Sequence, residues 1–208
     1  MKTNFDSAQK FIEMKRSHEG ESLSGPGSYK AVTSDVVNFI DQTIKKYKIK
    51  SILDLGCGDW NWFSTVDLSN CSYTGWDADS QMIRDNQSKY ANELIQFHVK
   101  DIVTEPLPNV DLIICRDVLF HIKLELSMPL VERITETSKY FISTCFRSVA
   151  SNSDIKKYCN IENWGWFPIN LNIAPFNLIN REIEYKHETK IPTRNDHKRY
   201  MSLYKCKG

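Results

Sequence analysis

The segment SILDLGCGDWNW, residues 51–62, decides the fold. Its apolar run from Ile52 to Leu55 contains one charge, Asp54, and ends at Gly56 and Gly58. Such a run is typical of a buried strand in an α/β sheet. The glycines predict a turn too tight for larger side chains, where a ligand can contact backbone N–H groups. The neighbouring carboxylate indicates a ligand with a cationic or hydroxyl-rich part.

Length and composition are those of one globular domain. The chain has 208 residues, of which 41% are hydrophobic and 25% charged, enough for a single α/β domain with a proper core. We therefore predict one domain over residues 1–208, with an N-terminal arm or lid at 1–30. A long segment rich in Asn and aromatic residues, 147–177, is predicted to be an insertion over the active site.

Charge and hydropathy narrow the cellular setting and the partners. The net charge of +1 gives no general attraction to nucleic acid or to an anionic membrane. No apolar run is long enough to span a bilayer, and residues 1–10 lack the apolar core of a signal peptide. We therefore expect a cytoplasmic protein that does not bind membranes and whose partner is a small molecule.

Strand and helix patterns alternate along the first two thirds of the chain. Such alternation predicts a parallel, doubly wound sheet. Helices are predicted to begin at Thr33 or Ser34, at Asp79 or Ser80, and at Ser127 with Pro129 in the first turn. Strands are predicted at 51–55, 72–76, 94–99, 111–115 and 140–146, and two more, with antiparallel pairing expected, at 179–185 and 199–204.

Residues at the carboxyl ends of the strands are the candidates for a ligand site, because ligands of such sheets bind there. Asp77 ends the second strand, nineteen residues after Gly58. A carboxylate at about this spacing can accept hydrogen bonds from ribose hydroxyls. Asp101 and Ile102 follow the third strand, where they can meet an adenine amino group and pack on its ring.

The turn after the first strand discriminates between nucleotides. A nicotinamide dinucleotide site requires a third glycine, and Asn61 stands at that position, after Asp59 and Trp60. A bulky, acidic turn is a poor receptor for a dianionic pyrophosphate. It is compatible with S-adenosylmethionine, which carries no phosphate and whose ammonium group Asp54 can hold directly or through water.

The chain resembles the class I S-adenosylmethionine-dependent methyltransferases from about residue 25 to 178. LDLGCG, YTGWD, KDI and DLIICRDVLFHI match that family, and NLNIAPFNL adds a resemblance to a less characterised group associated with polysaccharide genes. Trp60 departs from the family pattern, because many members have a small residue at that position. The resemblance implies a Rossmann-like doubly wound, mostly parallel seven-stranded sheet with an antiparallel C-terminal strand and helices on both faces. It implies S-adenosyl-L-methionine as cofactor, bound by Asp54, Gly56, Gly58, Asp59, Trp60, Asp77, Ala78, Asp101, Ile102 and Arg116.

Catalytic candidates follow the fourth strand. Methylation of a hydroxyl usually requires a general base near the acceptor, and His121 is the first choice, with Asp117 second. Arg116 can hold the substrate or the carboxylate of the cofactor. The alternative is that Arg116 and Asp117 form a structural ion pair and that His121 is a packed loop residue.

Tryptophans suggest the acceptor. Sugars pack well on flat apolar rings, so Trp62, Trp164 and Trp166, with Ser28, are predicted to bind a sugar or glycan hydroxyl; the alternative for the tryptophans is packing. The function predicted is therefore O-methylation of a small-molecule or glycan acceptor. Two alternatives stay open: an RNA or protein acceptor bound by the basic C-terminal tail, and a binding module without catalysis.

The cysteine pattern predicts neither a metal site nor a disulfide bond. The six cysteines show no CxxC and no zinc-type spacing with histidine. The arm before the first helix contains Ser17, Gly27 and Ser28, which we interpret either as lid residues or as a plain surface turn.

Overall fold

The computed structural model describes residues 20–152, 167–190 and 198–206. The chain divides into two compact units, Met1–Pro106 and Leu107–Gly208. Each unit is described below by itself. The prediction of one domain over 1–208 therefore stays a prediction.

The first unit contains three parallel strands in the order β3-β2-β1. The strand that decides the fold is buried along nearly its whole length, as its apolar run requires. The side chain of Asp79 caps the second helix by accepting from the backbone N–H groups of Gln81 and Met82. The elements are α1 (Lys30–Tyr47), β1 (Ser51–Leu55), β2 (Ser72–Asp77), α2 (Ser80–Tyr90) and β3 (Ile95–Val99).

The predicted start of α1 at Thr33 or Ser34 is wrong. The helix begins at Lys30, after Tyr29, and the Thr33 hydroxyl donates to the carbonyl of Tyr29 from within the helix, at 2.9 Å. The backbone N–H of Lys30 donates to the Glu21 carboxylate at 2.9 Å. A side chain of the preceding arm thus satisfies the first turn in place of a local cap.

The second unit contains four strands in the order β4-β5-β7-β6. β4 and β5 are parallel, and β7 runs antiparallel to both of its neighbours. The core of these strands is apolar, with Ile113, Phe141 and Leu203 fully buried. The elements are β4 (Val110–Cys115), α3 (Leu124–Thr137), β5 (Ser138–Cys145), β6 (Glu182–His187) and β7 (Tyr200–Lys205).

The predicted cap of α3 at Ser127 is also wrong. The helix begins at Leu124 after Lys123, and Pro129 lies inside it. The Ser127 hydroxyl is buried and bonds to the carbonyl groups of Ile122 and Lys123, at 3.2 Å each. The hydroxyl therefore ties the helix to the preceding turn instead of capping its first N–H groups.

The two units contribute seven strands, in the orders β3-β2-β1 and β4-β5-β7-β6. Their pairing is mostly parallel, with antiparallel pairing at the C-terminal strand β7 and helices flanking the strands. The predicted fold class is thereby confirmed. Within the described ranges, none of the helices combines the length and hydropathy that crossing a membrane requires.

The ends of the predicted insertion are part of the core of the second unit. Asn152 and Asn170 are buried, and the Asn152 amide donates to the carbonyl of Asn170 at 2.8 Å while its oxygen accepts from the backbone N–H of Asn170. The Asn170 amide in turn donates to the carbonyl of Val149 at 2.8 Å. These paired amides explain the asparagines as structural, and the prediction that 153–166 cover the active site lies outside the described residues.

Candidate functional site

The turn after β1 needs its glycines for two physical reasons. Gly56 and Gly58 have φ values of 80° and 58°, in the left-handed region that glycine adopts without steric cost. A Cβ atom on Gly58 would lie 2.2 Å from the Oγ of Ser24. The arm before α1 therefore packs directly on this turn, a contact that the sequence did not predict.

Asp77 holds the same turn from the end of β2. One carboxylate oxygen accepts the backbone N–H of Gly58 at 2.9 Å, and the other accepts that of Asp79 at 2.9 Å. Burial raises the pKa of Asp77, although hydrogen bonds from the backbone N–H groups of Asp79, Gly58 and Ala78 oppose the rise. The contact of Asp77 with ribose hydroxyls stays a prediction.

Asp54 is a buried carboxylate on β1, 3% exposed. The hydroxyl of Tyr73, on β2, donates to its Oδ2 at 2.8 Å. Burial, followed by the charge of Asp54, raises the pKa of Tyr73 well above its ordinary value, so this hydroxyl is protonated and acts as the donor. Sequence reasoning selected Asp54 and missed Tyr73; the signal was that a carboxylate in a buried strand requires a donor nearby.

Asp59 binds the arm that precedes α1. Its carboxylate accepts the Ser22 hydroxyl at 3.0 Å, the Leu23 backbone N–H at 2.7 Å and the Ser24 hydroxyl at 3.2 Å. It also accepts the backbone N–H of Asn61 at 3.3 Å. These bonds fasten the arm to Asp59, and its predicted contact with the cofactor stays a prediction.

Trp60 and Trp62 are core residues, 5% and 6% exposed. The indole of Trp60 lies in an aromatic cluster with ring centroids 4.8 to 6.2 Å away, made of Phe63, Tyr73, Tyr90 and Phe97. Trp60 itself has a φ of 55°. Both indoles are therefore packed in the core, and the predicted cofactor contact of Trp60 and sugar contact of Trp62 stay predictions.

Three further predicted residues follow β2 and β3. Ala78 and Ile102 are half-buried beside Asp77 and Asp101, respectively. The Asp101 carboxylate accepts the Val103 backbone N–H at 3.0 Å and the Thr104 hydroxyl at 2.9 Å. These bonds hold the turn after β3, and the predicted contacts of all three residues with adenosine stay predictions.

The arm residue Ser28 is buried, and its carbonyl accepts the Asn61 side-chain amide at 3.0 Å. Its backbone is therefore fastened to the glycine turn, and its predicted contact with the acceptor stays a prediction. Trp164, Trp166 and Ser17 lie outside the described residues.

The second unit contains a buried network of two arginines and two carboxylates. Arg116 bonds to Glu188 at 2.9 Å and to Asp117 at 3.2 Å. Arg199 bonds to both oxygens of Glu188, at 3.0 and 3.1 Å, and to Asp117 at 2.8 Å. The Glu188 side chain is 0% exposed and that of Arg116 is 3% exposed. The sequence analysis selected neither Glu188 nor Arg199 as a site residue.

Asp117 is fixed by this network. It has a φ of 60°, and its carboxylate also accepts the Thr144 hydroxyl at 2.8 Å. Burial acts to raise the pKa of Asp117, but Arg116, Arg199 and this hydrogen bond together lower it. A carboxylate with a lowered pKa is a poor proton acceptor. The contacts of Arg116 and Asp117 fit the structural ion pair that the sequence analysis gave as the alternative to a catalytic role.

His121 ends a short 3₁₀ turn after β4, Leu119–His121. Its ring centroid lies 4.5 Å from that of Phe120, and the side chain is half-buried. His121 is near enough to Asp117 for its charge to lower the pKa of that carboxyl. Within the described ranges, no group of three or more His, Cys, Asp or Glu side chains is arranged to hold a metal ion.

Known proteins share this architecture. Residues 52–139 match the profile of a methyltransferase domain family, whereas no curated protein matches the sequence. The N-methyltransferase NodS from Bradyrhizobium japonicum, solved with S-adenosyl-L-homocysteine, superposes with a TM-score of 0.71 at 11% identity, covering 97% of this chain and 99% of that one. This chain has a methyltransferase fold.

Two other solved methyltransferases superpose over similar lengths. An S-adenosylmethionine-dependent methyltransferase from Leishmania major gives a TM-score of 0.71 at 14% identity and covers 99% of this chain and 87% of its own. The magnesium protoporphyrin IX methyltransferase from Synechocystis, with bound S-adenosylhomocysteine, gives 0.62 at 13% identity, over 95% and 94% of the two chains. At such identities the likeness concerns the methyltransferase fold alone.

Proposed function

We propose that this protein is an S-adenosylmethionine-dependent methyltransferase. The observation that carries the proposal is the anchoring of the glycine turn by Asp77, whose carboxylate accepts the Gly58 N–H at 2.9 Å. A carboxylate at the end of β2 can accept ribose hydroxyls, and the turn with its positive-φ glycines lies directly beside this carboxylate. These features lie within the segment that matches a methyltransferase domain family.

The charges around the turn fit this cofactor better than a dinucleotide. Asp54, Asp59 and Asp77 are acidic side chains on or beside the turn, and they would repel a pyrophosphate. S-adenosyl-L-methionine carries a sulfonium and an ammonium group, and Asp54 and Asp77 would attract the ammonium and accept the ribose hydroxyls, respectively. Asp101 and Ile102 would hold the adenine, as the resemblance implies.

The residues of the chain would mainly bind and orient the reactants. The cofactor, when bound, supplies a methyl group that is already activated for transfer, so alignment and exclusion of water account for much of the catalysis. His121 would accept the proton of the acceptor hydroxyl as general base. We prefer it to Asp117, because the arginines that lower the pKa of Asp117 also occupy its carboxylate.

The acceptor that we propose is a hydroxyl of a sugar or glycan precursor, on the basis of the sequence resemblance and the predicted role of Trp164 and Trp166. An RNA or protein acceptor held by the basic tail has less support. Arg199, one cation of that tail, is paired with Glu188 and Asp117, and its side chain is only 13% exposed.

Binding of S-adenosylhomocysteine is the first test of the proposed function. At a hundred times its Kd, a ligand stabilises the folded state by about 2.7 kcal/mol. For a chain of this size we expect the melting temperature to rise by roughly 5–10 °C. The measurement is thermal denaturation followed by calorimetric titration, with NAD as the control ligand. A shift with NAD and none with S-adenosylhomocysteine would contradict the proposal.

Substitution of His121 tests the base. We expect His121→Ala to reduce methyl transfer to a panel of sugar nucleotides about 10²- to 10⁴-fold, while the Kd for S-adenosylhomocysteine stays unchanged. The assay follows a labelled methyl group from the cofactor. His98→Ala, which removes an exposed histidine on β3, is the matched control. Full activity of His121→Ala rejects the base, and transfer only to RNA or protein rejects the sugar acceptor.

A further inference from the structure

The proposed function assigns no role to the hydrogen bond between Tyr73 and Asp54. The two residues lie on adjacent parallel strands, with Ile52 paired to Tyr73 and Asp54 paired to Gly75. The Tyr73 hydroxyl reaches past this register to the Oδ2 of Asp54, at 2.8 Å. Tyr73 is 1% exposed and Asp54 is 3% exposed, so the bond is sheltered from water.

The position of this hydroxyl is set by packing. The Tyr73 ring lies in the aromatic cluster, with centroids 5.4 Å from Trp60, 4.9 Å from Phe63 and 5.8 Å from Phe97. A ring held on several sides has little rotational freedom. Because the strand fixes Asp54 and the cluster fixes Tyr73, the bond holds the Asp54 carboxylate in one orientation.

A buried carboxylate is costly unless hydrogen bonds and an opposite charge compensate it. The neutral hydroxyl of Tyr73 supplies a hydrogen bond and no charge. This bond uses one of the about four acceptor sites of a carboxylate. A cationic ligand group within reach of Asp54 would bind it with a charge-assisted bond.

We infer that Tyr73 is a positioning residue, which orients the Asp54 carboxylate toward the ammonium group of the amino-acid end of the cofactor. The inference rests on the proposed function, because it requires S-adenosylmethionine as the ligand of the glycine turn. It assigns to the aromatic cluster around Trp60 a role in cofactor selection: the cluster keeps the hydroxyl in place.

The test compares two ligands that differ at this end. S-adenosylhomocysteine has the amino acid, and 5′-methylthioadenosine has the same adenosine and thioether without it. We expect Tyr73→Phe to weaken S-adenosylhomocysteine about tenfold, which corresponds to about 1.4 kcal/mol. The Kd for 5′-methylthioadenosine should change less than about twofold. Calorimetric titration measures both constants.

Two variants control this result. Tyr204→Phe removes another fully buried hydroxyl, on β7, and should leave both constants unchanged. Asp54→Asn should weaken S-adenosylhomocysteine selectively, and adding Tyr73→Phe to it should cause little further loss, because the tyrosine acts through Asp54. Asp54→Asn also keeps the inference testable if Tyr73→Phe does not fold.

The binding constants distinguish a failure of the positioning role from a failure of the proposed function. Equal weakening of both ligands by Tyr73→Phe, or additive losses in the double variant, would overturn the positioning role and leave the proposed function standing. The same holds if Asp54→Asn weakens both ligands equally. If the wild-type protein binds neither ligand, the proposed function fails, and the inference fails with it.

Discussion

Replacement of Glu188 by alanine is expected to lower the free energy of unfolding by about 3–5 kcal/mol. Glu188 is the fully buried acid of the network in the second unit, and its carboxylate bonds to Arg116 at 2.9 Å and to Arg199 at 3.0 Å. The substitution would remove the carboxylate that pairs with the buried guanidinium of Arg116 and with the mostly buried guanidinium of Arg199. Urea denaturation of the wild-type and variant proteins measures the loss.

The size of this effect follows from burial and not from the number of ion pairs. Removing one member of a buried pair leaves a charge with neither water nor a partner, whereas an exposed pair contributes about 0–1 kcal/mol. Lys139 and Asp111 form a pair with an exposed lysine, at 2.8 Å with side chains 61% and 15% exposed. Lys139→Ala is therefore the matched control and should cost less than about 1 kcal/mol.

A double variant separates charge from packing. Glu188→Leu combined with Arg199→Met removes one charge of each sign and keeps most of the buried volume, so it should be more stable than Glu188→Ala. A loss below about 1 kcal/mol in Glu188→Ala would mean that water reaches the arginines, and it would refute the buried network.

The fold was predictable because its signals are local. The apolar run 52–55 and the glycines after it fix β1, and the structure reproduces the predicted bounds of that strand at Ser51–Leu55. Helix starts were predicted less well, because side chains distant in sequence replace the local cap. At α1, Glu21 accepts from the backbone N–H of Lys30, and no rule based on the residues next to the helix selects it.

The candidate site was predictable in part for the same reason. Asp54, Gly58 and Asp77 stand at strand ends, and spacing alone selects them. Tyr73 and Glu188 were missed because their partners are far away in sequence, 19 and 72 residues, respectively. The burial of the Trp60 ring was not predictable, because spacing shows where a residue follows a strand and does not show whether its ring points into the core.

Substitution of Asp77 is expected to have the largest effect on cofactor affinity. Asp77→Ala should weaken S-adenosylhomocysteine at least about a hundredfold, because hydrogen bonds to a charged group contribute about 1.5–3 kcal/mol each and two ribose hydroxyls are proposed to make them. The variant also removes the acceptor that anchors the Gly58 N–H. Since both ligands contain ribose, 5′-methylthioadenosine should weaken as much as S-adenosylhomocysteine, unlike in Tyr73→Phe.

The affinity should also depend on pH through Asp77. Burial raises the pKa of this carboxyl, and ligand hydroxyls bind its ionised form, so affinity is full above that raised pKa and falls as the pH falls through it. The decline should begin above the ordinary range of aspartate, about 4. The stability of the ligand-free protein should depend on pH in the opposite direction. Protonation of Asp77 favours the folded state, because the pKa of this carboxyl is higher in the folded than in the unfolded state.

Two variants decide whether Asp77 causes this decline. Asp77→Asn cannot titrate, so its weaker affinity should be independent of pH over the same interval. Asp85→Asn removes an exposed carboxylate on α2 and should retain both the wild-type affinity and its pH dependence. If Asp77→Asn keeps the decline, another group titrates on binding. If Asp77→Ala binds S-adenosylhomocysteine like the wild type, the ribose is not held at the end of β2, because no other acceptor could replace a lost carboxylate without a measurable change in Kd.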